Sequence, residues 1–222
     1  MSTHPPLLDV QGVSYALAGN TLLAPVSLTL NAGDFLLLTG PSGCGKSTLL
    51  KIIASLLDPT HGSVLFKGQP VSELRPETYR QQVSWCCQTP ALFGKTVWDN
   101  LALPWEIRHK KAEREGLQRW LQRVNLPAET LDKEIETLSG GEKQRVGLLR
   151  NLQFLPDVLL LDEVTSALDD ENKQAINGLI NELMAEKGMA AIWISHDSAE
   201  IHRAQRVLTL SPSSAGSADE PA

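Results

Sequence analysis

With 222 residues, 42% hydrophobic and 21% charged, the chain has an ordinary globular composition and enough length to bury a core. Its formal net charge of −6 excludes a general attraction to nucleic acid or anionic lipid. The longest apolar runs, Val158–Leu161 and Met189–Ile194, fall far short of the roughly 18 residues of a membrane-spanning helix, so no direct membrane span is expected.

The N-terminus, Met1–Pro6, has neither the basic nor the apolar region of a secretory signal, which points to the cytoplasm. Beyond it, Leu8, Val10, Gly12 and Ser14 alternate with Asp9, Gln11, Val13 and Tyr15, and Val26–Leu30 alternates apolar residues with Ser and Thr. Both patterns predict half-buried strands of an antiparallel layer. Asp34–Thr39 is an apolar run between turn signals, as in a strand buried on both faces, and a helix is expected from Lys46 to Leu57, ending before Asp58-Pro59.

Between that strand and that helix lies Gly40-Pro41-Ser42-Gly43-Cys44-Gly45-Lys46-Ser47, which fits all eight positions of a phosphate-binding loop. Its glycines let successive backbone N–H groups turn towards one anion, and the helix presents its positive end. Lys46 adds a full charge near the β- and γ-phosphates, and Ser47 offers a hydroxyl to Mg²⁺. Cys44, Cys86 and Cys87 have no metal-ligand spacing and read as structural thiols, with a redox role for Cys44 conceivable because a phosphate-binding turn lowers a thiol pKa.

Gly62–Gly68, with Val64 and Phe66 on one face, and Gln82–Gln88 are further strand candidates. From about Thr96 to Asn151 helical periodicity takes over, with Leu117, Trp120, Leu121 and Val124 forming an amphipathic stripe. Val158–Asp162 and Ala190–Ser195 return to the strand pattern around a helix at about Asp170–Lys187, which implies a parallel crossover. The first of these strands ends in Asp162, placed to assist Mg²⁺, and Glu163 follows as a group able to orient or deprotonate an attacking water. The tail over 211–222 is poor in apolar residues and expected to be disordered.

Leu138-Ser139-Gly140-Gly141-Glu142-Lys143-Gln144-Arg145 resembles the signature sequence of ABC ATPases; Ser139 and Glu142 also fit a helix capping box. The resemblance extends over roughly Leu7 to Leu210. It implies an α/β fold: a P-loop NTPase core of mostly parallel sheet with flanking helices, an antiparallel β layer and a helical subdomain. The domain would occupy 1–210, with 7–88 and 156–210 as the nucleotide-binding core and 89–155 as the subdomain.

What the resemblance implies about the site follows residue by residue. ATP would be held by Tyr15, on which adenine stacks, by Gly40, Pro41, Ser42, Gly43, Cys44, Gly45, Lys46, Ser47 and Thr48, and by Ser139, Gly140, Gly141 and Asp169. Glu163, His196, Lys46 and Gln88 would serve hydrolysis, with Ser47, Gln88 and Asp162 around Mg²⁺. Ser166-Ala167-Leu168-Asp169 matches the loop that crosses the interface of a dimer, in which each copy's signature covers the ATP of the other.

A second copy and a separate multi-spanning permease are the implied partners, placing the chain on the cytoplasmic face of the inner membrane. Thr89–Arg108 resembles the permease-facing region, where Phe93, Trp98 and Trp105 form either a docking surface or subdomain core. The run from Gln88 to Leu101, then Leu103–Arg108 and Leu149–Pro156, is similar to bacterial ATPases of a small iron-export system. A soluble ABC ATPase serving cofactor assembly stays open as the alternative; the signature and Glu163 disfavour a nucleotide-dependent kinase.

Overall fold

The computed structural model describes residues 5–195, 197, 200–201, 204 and 206–212. Strands Leu8–Leu17 (β1) and Asn20–Leu30 (β2) pair antiparallel across a turn in which Ala18 and Gly19 both have positive φ. The simple alternation read from the sequence breaks in β1. Gly12 has φ +56° at a register shift, so Val13 joins Leu8 and Val10 in the core. Strand His61–Phe66 (β4) pairs with the other side of β1 and carries Val64 and Phe66 inward, and a short strand, Gln69–Pro70 (β5), completes this sheet in the order β2-β1-β4-β5.

The second sheet is parallel: Phe35–Thr39 (β3), Val83–Cys86 (β6), Val158–Asp162 (β7), Ala190–Ile194 (β8) and Arg206–Thr209 (β9), in the order β6-β7-β8-β3-β9. Its central strands are buried on both faces. Leu36, Leu38, Val158, Leu160, Ile192 and Ile194 enter one core with the antiparallel sheet and helix Lys46–Ile53 (α1). The opposite parity, Leu37, Leu159, Leu161 and Trp193, enters a second core shared with the helical region.

Helix α1 stops four residues earlier than its apolar pattern predicts. Ser55 adopts φ +56°, its N–H donates to the Ile52 carbonyl, and the Leu56 N–H donates to the Lys51 carbonyl at 2.9 Å, a Schellman closure without glycine. Helix Pro76–Gln82 (α2), β5 and β9 carry no strong periodicity and were not foreseen.

The helical region comprises Val97–Ile107 (α3), Arg114–Gln122 (α4) and Gly140–Leu152 (α5), and Asp170–Lys187 (α6) links β7 to β8. Capping boxes Thr96/Asp99 and Ser139/Glu142 start α3 and α5. The predicted stripe holds: Leu117, Leu121 and Val124 are buried, with Trp120 packed alongside. Among the described residues no helix is long and apolar enough to cross a membrane.

Candidate functional site

The parallel sheet delivers four segments to one edge, because β3, β6, β7 and β8 all run the same way and end together. β3 leads into Gly40, β6 into Cys87 and Gln88, β7 ends in Asp162 and is followed by Glu163, and β8 leads to Ser195. The carboxyl edge of a parallel sheet is where ligands bind in such folds. The register sets Asp162 level with Ile194, and Ile194 level with Leu38.

In the loop Gly40–Gly45, Gly40, Gly43 and Gly45 take φ of 141°, 78° and 94°. The turn they make brings Lys46 back over it. Lys46 Nζ donates to the Gly40 carbonyl at 2.8 Å and to the Pro41 carbonyl at 2.9 Å. Cys44 is buried beneath, its Sγ 4.0 Å from that ammonium. Ser47, at the first turn of α1, donates its hydroxyl to Asp162 Oδ1 at 3.1 Å. Thr48 follows on the same turn and is half-buried.

Asp162 is 5% exposed. Burial pushes its carboxyl above the usual range; the Ser47 hydroxyl opposes this, the neighbouring Glu163 adds to it, and Lys51 and Lys46 oppose it. Glu163 has φ +50°, a conformation that costs a non-glycine residue on the order of 1 kcal/mol or more. It is held there by its own N–H, which donates to the Ile194 carbonyl at 3.1 Å. Its Oε2 accepts from Gln88 Nε2 at 3.0 Å. A carboxylate so aimed, beside a cavity of about 250 Å³ shared with Thr165, Ser166, Lys173, Ser195 and Asp197, can accept a proton from water.

The second predicted anion edge has the local structure its sequence suggests. Ser139 Oγ accepts from the Glu142 N–H at 3.2 Å, and Glu142 Oε2 accepts from the Ser139 N–H at 2.8 Å. That backbone donor, with the Ser139 hydroxyl and Lys133, holds the Glu142 carboxyl below its ordinary range. Ser139 and Gly140 are exposed at the helix start, and no hydrogen bond among the described residues joins them to the phosphate-loop candidate. Asp169 is exposed too and caps α6, accepting from the Asn172 N–H at 2.9 Å.

A family model described as ABC transporter matches residues 23–166, a span that covers the glycine loop, Asp162, Glu163 and the signature helix. The chain belongs to the ABC transporter family. ATP hydrolysis coupled to transport is the activity of that family. Over 212 residues the chain is 53% identical to the "probable iron export ATP-binding protein FetA" of Escherichia coli (strain K12), covering 96% of this chain and 94% of that one.

It is 36% identical over 201 residues to a spermidine/putrescine import ATP-binding protein of Legionella pneumophila (strain Philadelphia 1), covering 88% of this chain but 54% of that protein. Among solved structures, a bacterial Atm1-family ABC exporter with ATP bound superposes with a TM-score of 0.83 at 27% identity, over 95% of this chain and 38% of that one. A dimeric ATP-binding cassette in a post-hydrolysis state, bound to ADP and Pi, superposes with a TM-score of 0.82 at 27% identity, over 91% and 94%. The fold is therefore that of ABC ATPase domains.

Three residues around this candidate site had no role in the sequence reading. Gln144, on α5, donates from Nε2 to the Gln88 carbonyl at 2.9 Å, tying the signature helix to the segment that carries Gln88. Gly147, one turn on, lets Pro90 pack directly on the helix: a Cβ there would sit 2.5 Å from Pro90 Cβ. Leu210 closes over Gly40, its N–H donating to the Thr39 carbonyl at 2.8 Å. No spacing rule marks these contacts, since each joins distant segments.

Of the remaining expectations, Tyr15 is half-buried in β1 beside the first core, and His196 lies outside the described residues, as does most of the 211–222 tail. Cys86 is buried and its thiol is pushed up to about 12 by burial, which suits a structural thiol. The three aromatics divide. Phe93 is 53% exposed with Arg150 over its ring, whereas Trp98 packs on the second core. Trp105 packs at a tilt of 57° against Phe154, with centroids 4.7 Å apart, and donates from Nε1 to Gln153 Oε1 at 3.2 Å. A cleft of about 290 Å³ opens here, lined by Arg80, Pro104, Ile107, Arg108, Arg150 and Phe154.

Proposed function

We propose that this chain binds ATP between two copies of itself and hydrolyses it to drive export, with iron as the cargo, through a separate membrane permease. The observation that carries the hydrolytic part is the pairing of two carboxylates at one sheet edge with complementary partners, Ser47 to Asp162 and Gln88 to Glu163.

In this reading Gly40–Thr48 cradles the phosphates with backbone N–H groups and Lys46 exchanges loop carbonyls for phosphate oxygens, while adenine stacks on Tyr15. Glu163 takes a proton from the attacking water as its oxygen bonds to the γ-phosphorus and the bond to ADP breaks; Gln88 orients Glu163 and reports to α5 through Gln144. His196, which lies outside the described residues, matches the family's histidine that contacts the γ-phosphate. Ser139–Gly141 and Asp169 of each copy complete the site on the other. The oxygen set of Ser47, Gln88 and the buried Asp162 fits Mg²⁺, a hard cation that supplies neutralisation of phosphate charge when bound.

Residues 89–155 act as a subdomain between ATP and permease, and the cleft beside Trp105 and Phe154 receives the permease at the cytoplasmic face of the membrane. Support for export of iron comes from the 53% identity and near full mutual coverage with the E. coli protein, against 36% with the polyamine importer. ATP favours the closed dimer by its differential affinity for closed over open, and hydrolysis releases it.

Glu163→Gln is expected to keep ATP binding and lower turnover about 100-fold or more, read as phosphate release. Wild-type rates in that variant would remove Glu163 from the base role. Deleting the gene from its host is expected to raise cell iron measured by elemental analysis; unchanged iron with a shift in another metal would reassign the cargo.

A further inference from the structure

The signature helix and the loop before α6 are separate in sequence, yet one buried guanidinium joins them. Arg145 is 7% exposed, and its Nε donates to the carbonyl of Gly141, four residues earlier on the same helix, at 3.2 Å. Its Nη1 reaches the carbonyls of Val124 and Asn125, at 3.0 Å and 3.3 Å, and Asn172 Oδ1 at 2.5 Å. Asn172 turns its other end to Asp169: Nδ2 donates to Asp169 Oδ2 at 3.0 Å while the backbone N–H donates to Oδ1.

The link is closely packed as well as hydrogen-bonded. Leu168 lies against the signature helix so tightly that a Cβ on Gly141 would meet Leu168 Cδ2 at 2.9 Å. Burial holds the Arg145 guanidinium below its ordinary pKa, with Glu142 and Asp169 opposing. A guanidinium in such a place is costly unless its donors are used, so the acceptors around it fix its position closely.

We infer that Asn172 is a positioning residue that locks Asp169 to the start of the signature helix, so that both elements meet the other copy as one preformed surface. The inference rests on the ATP-bridged dimer proposed above. Its physical basis is preorganisation: two elements held in fixed relation lose less freedom on closing than two that must be ordered separately.

Asn172→Ala tests this with little risk to the fold. The backbone N–H that donates to Asp169 remains, Arg145 keeps its carbonyl partners, and alanine suits a helix better than asparagine. In full-length protein carrying Glu163→Gln, ATP-dependent dimerisation is followed by analytical ultracentrifugation. Adding Asn172→Ala is expected to raise the ATP concentration for half-dimerisation about tenfold, with ATP binding to the monomer unchanged and the melting temperature lowered by only about 2–4 °C, since Arg145 keeps its carbonyl partners.

In the Glu163 background, Asn172→Ala is expected to raise the KM for ATP about tenfold while kcat at saturating ATP stays within about twofold. Equal dimerisation and equal KM with and without Asn172→Ala overturn the positioning role alone. Failure of Glu163→Gln protein to dimerise with ATP at all overturns the dimer reading and this inference with it.

Discussion

The contact between Gly147 and Pro90 allows a sharp test of whether helix α5 sets the position of Glu163, the base proposed above. Gly147→Ala would place a methyl 2.5 Å from Pro90 Cβ and 3.0 Å from its Cγ. Carbon atoms prefer about 3.5–4.0 Å, so α5 and the segment carrying Gln88 must separate by roughly 1 Å. That separation acts on two hydrogen bonds, Gln144 to the Gln88 carbonyl at 2.9 Å and Gln88 to Glu163 at 3.0 Å, and stretches either past bonding range.

Overpacking costs about 1–3 kcal/mol, and the better helix propensity of alanine offsets about 1 kcal/mol, so the fold should survive with a modestly lower melting temperature. A misplacement on the order of 1 Å at a catalytic group costs about 100-fold in rate. Phosphate release should therefore fall about that far while a fluorescent ATP analogue still binds. The second variant Pro90→Gly, combined with Gly147→Ala, removes both ring atoms that the new methyl meets and should recover most of the rate. Wild-type turnover in Gly147→Ala, or no recovery in the double variant, would refute the coupling.

Ser139→Ala should lower stability by about 1 kcal/mol through loss of the α5 cap, whereas Ser139→Asn keeps a capping acceptor and should melt like the parent. If both hydrolyse ATP slowly, the hydroxyl serves the nucleotide as well as the helix; full activity in Ser139→Asn would limit it to capping. For Asp162 the folded pKa is raised, so its carboxyl contributes stability that is full below its unfolded pKa and lost as pH rises through the folded one. Asp162→Asn keeps an acceptor for Ser47 and should melt increasingly above the parent as pH goes from about 4 to about 8; a constant gap across that range would contradict the burial effect.

The glycine loop, the strand endings at Asp162 and Glu163 and the Ser139 cap were all legible from the sequence. They depend on short-range rules: glycine at turns, apolar runs for buried strands, and a serine three residues before a glutamate. The same rules failed where local and tertiary demands diverge. β1 shifts register at Gly12 against both of its neighbours, and α1 ends at Ile53 with Ser55 just beyond it in a conformation that serine rarely takes. β9 has too little pattern to announce itself and exists by pairing with β3.

The sequence by itself determined that a glycine loop of the phosphate-binding pattern, two adjacent carboxylates and a capped helix of the ABC signature pattern are present, since each is written in a contiguous stretch. Only the tertiary structure decided that Ser47 meets Asp162, that Gln88 meets Glu163, and that Arg145 binds Asn172, with partners 115, 75 and 27 residues apart. The parallel strand order and the packing of α5 against its neighbours bring these pairs together, and neither is encoded in the spacing of any one motif.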